Sequence, residues 1–378
     1  MSTFSIFCSV LISLLGAELY ADGGLLNLPL SDSGLRYENI EALKPVWPAA
    51  HGEGSICLWG DDKHSALSIT IDDNNAPDIP FWQEMSEEFE WKFTWFVIVH
   101  PMMWDIYENK TGNNTSYFGT AETYKALYEQ GHEIGLHGSC KATNSLDEEG
   151  YREHVVKSTA HLESIVGNKI LTYAYPCGAT GPEGVYEKVI AETMIGARGT
   201  AGGPTPIQNG DILNTKSMGA ANMANAQSIK RFQMLEDPTR PFKYNYYRGW
   251  PVFLYHGLGT QAKKDAVRET LKEIKSREDQ FWIQPFGVVA AYIQERASAQ
   301  LSISSVEPGR IIFEITDRMT DEFFTVPLTI KFKVEGWKNA AAKQGEVLLN
   351  TRVIQHDGQS FVLVDAVPDA GPVILIQR

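Results

Sequence analysis

The run Thr70-Ile71-Asp72-Asp73 puts two neighbouring carboxylates at the end of a short apolar segment. Such a pair is electrostatically awkward, and its members can divide between holding a cation and accepting a proton. Taken alone, the pair equally describes a turn or a helix cap. Gly131-His132-Glu133-Ile134-Gly135-Leu136-His137-Gly138-Ser139 brings His137 to the end of another apolar segment. An imidazole there can ligate a metal or simply lie exposed. Tyr173-Ala174-Tyr175-Pro176-Cys177-Gly178 closes a third segment with a Pro-X-Gly turn. The turn can aim the Cys177 amide at a developing oxyanion, or merely redirect the chain. Phe253-Leu254-Tyr255-His256-Gly257 ends a fourth segment on His256, a candidate general acid.

To act together, these groups need strand ends gathered at one face. Ranges 66–71, 93–99, 133–136, 170–175 and 252–256 read as short buried strands. Ranges 80–90, 121–130, 147–166, 185–193, 262–275 and 286–296 read as helices, two of them stopped by Gly131 and Gly167. Repeated strand-helix units predict an α/β fold with a parallel sheet. Chemistry at the C-terminal strand ends favours a distorted parallel (β/α) barrel. Residues 22–60, broken by Pro29, Pro45 and Pro48, read as an irregular entry segment. After Ala299 the runs 301–315, 324–334, 346–353, 361–364 and 372–376 are β-like, with no helix beyond a turn near Asn339. They predict a small C-terminal all-β, sandwich-like domain. The expected organisation is a signal peptide over 1–21, the entry segment over 22–60, the barrel over 61–298 and the β domain over 299–378.

In their order and approximate spacing, the four stretches resemble the polysaccharide deacetylase family (carbohydrate esterase family 4). Thr70-Ile71-Asp72-Asp73 is similar to its Thr-Phe-Asp-Asp, and the run into His137 to its metal-binding His motif. Tyr175-Pro176-Cys177-Gly178 is similar to its Pro-Tyr-Gly turn, and Leu254-Tyr255-His256 to its Leu-X-His. Phe93-Thr94-Trp95-Phe96-Val97 looks like its second strand. Gly196-Ala197-Arg198-Gly199 and the helix over 286–296 look like members that carry a C-terminal β domain. The resemblance covers about residues 60–298 and implies a hydrolase that removes N- or O-linked acetyl groups from a glycan. It implies a divalent metal, usually zinc, that polarises the acetyl carbonyl and the attacking water. By this resemblance Asp72 is the base, Asp73 and His137 are metal ligands, and the Cys177 amide holds the oxyanion. His256 is the acid, Arg198 orients Asp72, and Leu254 lines the acetyl pocket. Lys141, Trp250 and Tyr175 are further residues expected to face substrate. The chain departs from the family pattern four residues after His137, where a second metal histidine is expected and Lys141 stands. A protonated lysine repels zinc. Replacement ligands to consider are His132, Cys140, Asn144 and His154. The family's Asp-X-X-Asp-Trp support for the acid histidine is missing, so no Asp partner of His256 is legible. Two alternatives follow from the departures. One is a metal-independent amide or ester hydrolase in which Lys141 replaces the metal's charge. The other is a glycan-binding protein that has lost the chemistry.

The 33 basic and 47 acidic residues leave a net charge of −14, which argues against a nucleic-acid partner. Apolar residues make up 43% of the chain and charged residues 21%, as in folded globular proteins. The apolar stretch from Phe4 to Ala17, ending near Ala21, reads as an export signal too short to span a bilayer, so a secreted or periplasmic protein is expected. No later segment is long and apolar enough to span a bilayer. Of the four cysteines Cys8 would leave with the signal. Cys57, Cys140 and Cys177 then allow at most one internal disulfide. Asn109, Asn113 and Asn114 begin glycosylation sequons.

Overall fold

The computed structural model describes residues 20, 22–28, 41–99, 118–207, 210–219, 232–239 and 245–378. Apart from Tyr20, the expected signal peptide lies outside the described residues, as do the three sequons. Seven parallel strands close a barrel: β2 (Ser65–Ile71), β3 (Thr94–Ile98), β4 (Glu133–His137), β5 (Thr172–Ala174), β6 (Gly196–Gly202), β7 (Thr215–Gly219) and β8 (Val252–Tyr255). Closure comes at β2, which pairs with β8 over Ser68 to Ile71 and with β3 at Thr70 and Ile71. A short strand, β9 (Phe281–Ile283), pairs with the start of β2.

Local chemistry sets the helices between the strands. Asp147 accepts a hydrogen bond from Gly150 N–H at the start of Glu148–Val166, and Gly167, left-handed at φ 75°, ends that helix. Thr120 and Thr123 cap the helix Ala121–Glu129 reciprocally. The helices Ile79–Phe89, Val185–Ile190, Gln261–Lys275 and Phe286–Ser298 complete the set used below. The predicted helix over 185–193 is shorter, its last residues forming a turn.

Beyond the barrel two antiparallel sheets face one another. One is ordered β1-β12-β16-β15 and the other β10-β11-β17-β13-β14. Their strands are β1 (Gly54–Ile56), β10 (Gln300–Glu307), β11 (Arg310–Thr316), β12 (Leu328–Val334), β13 (Ala340–Gln344), β14 (Val347–Leu349), β15 (Thr351–His356), β16 (Gln359–Ala366) and β17 (Val373–Gln377). The predicted run 301–315 is thus a hairpin, and the turn expected near Asn339 leads into a strand. The entry segment, read as irregular, contributes β1, which pairs with β12.

Carboxylates crowd where the last barrel helix meets the β domain. Glu295, wholly buried, accepts from Val326 N–H at 3.1 Å. Asp317 accepts from Met319 N–H, while Asp369 accepts from Asp317 N–H. Asp22 accepts from Thr320 and Asp321. Burial first, and then the charges of Asp369 and Asp321, push Asp317 up to about 7, against the pull of the Met319 hydrogen bond. A carboxyl raised in the folded state stabilises it fully below the unfolded value, near 4. That contribution is lost as pH rises to about 7. Asp317→Asn, which keeps the Met319 acceptor, should therefore flatten the decline in stability between about pH 4 and pH 7 by about 1 kcal/mol, allowing for the group's partial exposure. Denaturant unfolding across that range measures it, and an unchanged decline in the variant would remove Asp317 as its cause.

Candidate active site

The C-terminal ends of β2, β4, β5 and β8 converge. Asp72 and Asp73 follow β2, His137 ends β4, the Pro176–Gly178 turn follows β5, and His256 follows β8. Asp72 is buried and its N–H donates to Tyr255 O at 2.9 Å. Arg198, wholly buried on β6, reaches through the barrel and donates from Nη2 to Asp72 Oδ2. The guanidinium lies 5.3 Å from the Phe96 ring centroid, and Nη1 donates to Gly199 O at 3.2 Å. Asp72 Oδ1 is buried without a hydrogen-bond partner among the described residues.

His137 Nδ1 lies 2.7 Å from Ala174 O. A carbonyl only accepts, so Nδ1 carries the hydrogen and Nε2 faces the carboxylates, to which a protonated ring donates. Nε2 stands 3.5 Å from Asp73 Oδ1 and 3.9 Å from Asp72 Oδ2. The other Asp73 oxygen is 3.8 Å from His256 Nε2. Burial raises Asp73, but the His137 hydrogen bond and the charges of His137, His256 and Arg198 outweigh it and hold the carboxyl below its usual range. His256 is half exposed at the open end. Leu254, two residues earlier, lies on the same face of β8.

The turn that presents these carboxylates is strained. Asp73, Asn74 and Asn75 have φ of 60°, 66° and 41°, three left-handed residues in succession. Asn74 Oδ1 accepts from Ile98 N–H at 2.9 Å, and Asn75 Nδ2 donates to Asp72 O. Asp78 accepts from Leu258 N–H at 2.6 Å and pairs with Lys264 at 3.0 Å, so it anchors the loop that carries His256. None of these three stood out in the sequence; Asn at left-handed positions is the available signal for the first two. Asp73 itself stands where an Asp partner of His256 was sought.

Cys140 and Cys177 form a disulfide, with Cα atoms 5.5 Å apart. Cys140 is therefore no thiolate ligand, and Cys57 is the buried free cysteine. The other replacement ligands are also engaged elsewhere. Asn144 Nδ2 donates to Pro176 O at 3.0 Å. His132 Nδ1 accepts from Phe93 N–H, and burial, with Lys92 adding to it, pushes that imidazole down to about 4. His154 is buried on the helix Glu148–Val166 beside Ser158.

Two expected substrate contacts lie elsewhere. Trp250 precedes β8, at the far end of the barrel, fully buried against Phe286 with Nε1 donating to Ser68 Oγ at 3.0 Å. Tyr175 is fully buried with its ring edge against Tyr173. Both pack the interior. Lys141 is exposed in the loop after β4.

A divalent metal finds two converging protein donors here, Asp73 and His137. Among the described residues no group of three or more His, Cys, Asp or Glu side chains could hold a metal ion. With an exposed lysine at the third expected position, the donor set does not fit a three-ligand metal centre.

Residues 60–191 match the polysaccharide deacetylase family model. A gellan lyase from a Bacillus species is 32% identical over 376 residues, covering 93% of this chain and 14% of that protein. The chain thus spans about one seventh of that relative's length. Among solved structures, a Mycobacterium smegmatis chain assigned to the polysaccharide deacetylases is 16% identical with a TM-score of 0.43, covering 66% of this chain and 95% of that one. A family 4 acetyl xylan esterase from Clostridium thermocellum is 14% identical with a TM-score of 0.37, covering 58% and 88%.

Proposed function

Residues 60–191 match the polysaccharide deacetylase family model, and on that premise we propose that the chain removes N- or O-linked acetyl groups from a polysaccharide or oligosaccharide. The observation that carries this reading is Asp72, buried beside Arg198 with one oxygen unpartnered, within 3.9 Å of His137 and next to the Asp73–His256 pair. Asp72 takes a proton from a water at the open end, and that water attacks the acetyl carbonyl. The oxygen that gains negative charge meets the Cys177 N–H. The turn's own bonds, Gly178 N–H to Tyr175 O and Ala179 N–H to Pro176 O, are made by the two residues that follow Cys177. His256, oriented by Asp73, protonates the departing nitrogen or oxygen, and Leu254 packs on the acetyl methyl group. Zinc, the metal expected from the family, would meet Asp73 and His137 and would polarise the acetyl carbonyl. Similarity to a gellan lyase supports a polysaccharide as the substrate class. No described helix is long and apolar enough to cross a membrane, and the disulfide supports export to an oxidising compartment.

Lys141 supports a second reading, a metal-independent hydrolase. Its exposed ammonium would bind a substrate carboxylate or the oxyanion, supplying the charge a metal would bring.

Acetate release from acetylated polysaccharides tests the proposal. Wild type should turn over, and His256→Ala should lose about 100-fold in kcat with its melting temperature kept, since His256 is half exposed. Undiminished release by His256→Ala would remove it as the acid. No release by the wild type from N- or O-acetylated glycans would remove the deacetylase reading.

A further inference from the structure

We propose that the Cys140–Cys177 disulfide is a positioning element of the site, locking the amide-bearing turn after β5 to the loop after β4. The inference rests on the deacetylase reading. The two strand ends are tied at three successive points: His137 Nδ1 to Ala174 O at 2.7 Å, Cys140 to Cys177, and Asn144 Nδ2 to Pro176 O at 3.0 Å. The disulfide is the one covalent tie, and it falls on the residue whose amide faces the oxyanion.

Cys177 has φ 54° and ψ 16°, a left-handed conformation that a residue with a side chain leaves unless held. Its neighbour Gly178, at φ 68°, admits no side chain, because a Cβ there would lie 2.1 Å from Thr200 Oγ1. The amide direction of Cys177 is therefore a product of this turn, and an amide turned away gives the oxyanion nothing. On the facing loop, Thr143 Oγ1 accepts from Ser139 N–H at 2.9 Å, which keeps the segment around Cys140 compact. In a site with three protein ligands, a metal would clamp this loop through the position of Lys141. Here the residue immediately before it does so through sulfur.

The test compares oxidised full-length protein with the same protein reduced by a dithiol, and with Cys140→Ser/Cys177→Ser. Reduction converts the disulfide to two thiols while the reagent closes to its own cyclic disulfide, and thiol labelling confirms the opening. Acetate release and hydrogen exchange of segments 137–146 and 173–180 are read together. With the disulfide open, kcat should fall at least about 10-fold with KM within about two-fold, and recover on reoxidation. Exchange should quicken in those two segments and not elsewhere. An unchanged kcat with the disulfide demonstrably open would overturn the inference. Should the oxidised protein release no acetate, the deacetylase reading fails and exchange alone decides: local quickening supports the clamp, and no change overturns it. Should the double variant not fold, reduction of the folded wild type below its melting temperature makes the same comparison.

Discussion

Arg198→Met is expected to destabilise the protein by roughly 3–5 kcal/mol and to lower kcat for acetate release about 100-fold or more. Arg198 and Asp72 are both buried; Asp72 Oδ2 takes the guanidinium with His137 Nε2 at 3.9 Å, and Asp72 Oδ1 has no hydrogen-bond partner among the described residues. Removing the guanidinium strands a carboxylate in an interior walled by Phe96 and neighbouring strands. Asp72→Asn should cost less stability, since an amide oxygen can still accept from Arg198, but it removes the base and should cost about 1000-fold in kcat. The double variant Arg198→Met/Asp72→Leu should recover more than half of the stability lost in Arg198→Met while staying inactive, because no charge is then buried unpaired. Urea unfolding and acetate release on the wild type, Arg198→Met, Asp72→Asn, Asp72→Leu and the double variant decide the matter. A double variant as unstable as the sum of the singles would mean that Arg198 acts through packing. Turnover in Asp72→Asn would move the base elsewhere.

The parts of this site that were legible in the sequence are those whose strands announce themselves. Ser65–Ile71, Thr94–Ile98 and Val252–Tyr255 are apolar runs buried along their whole length, and their motifs follow directly. β6 was not legible as a strand. Gly-Ala-Arg-Gly-Thr-Ala-Gly reads as turn chemistry, yet a Cβ at Gly196 would lie 2.8 Å from Ala290 Cβ. The last barrel helix presses so close that only glycine fits, and tertiary packing overrides strand propensity. β7, Thr-Lys-Ser-Met-Gly, is short and mostly polar, and its register is imposed by its neighbours. Side-chain destinations were harder still. Trp250 and Tyr175 flank motif residues in sequence, but Trp250 lies beyond the N-terminal end of its strand and Tyr175 turns into the interior, so sequence proximity misled. The Cys140–Cys177 pairing was invisible for a related reason: it depends on β4 and β5 being neighbours in the barrel.

Replacing Lys141 by histidine should raise zinc affinity by about 100-fold or more over the wild type, the scale on which even residues behind the metal ligands matter. Asp73 Oδ1 and His137 Nε2 already stand 3.5 Å apart, and the Ala174 carbonyl fixes the His137 tautomer. Among the described residues the pair lacks a third donor, and at the expected position stands a cation that adds repulsion. Lys141→His exchanges that repulsion for a neutral donor at the spacing expected of the second metal histidine. The disulfide at Cys140 keeps the loop near β5 whether or not metal is present. Competition against a zinc-binding dye, on wild type, Lys141→His, and Lys141→His/Asp73→Ala, reads the effect without reference to turnover. The gain should appear in the first variant and vanish in the second. A wild type that already holds one zinc as tightly as Lys141→His would show that a third donor reaches the ion from elsewhere in the chain. Weak wild-type binding with full deacetylase turnover would instead place the electrophilic charge on Lys141 itself, and Lys141→Met should then abolish activity that Lys141→Arg partly retains.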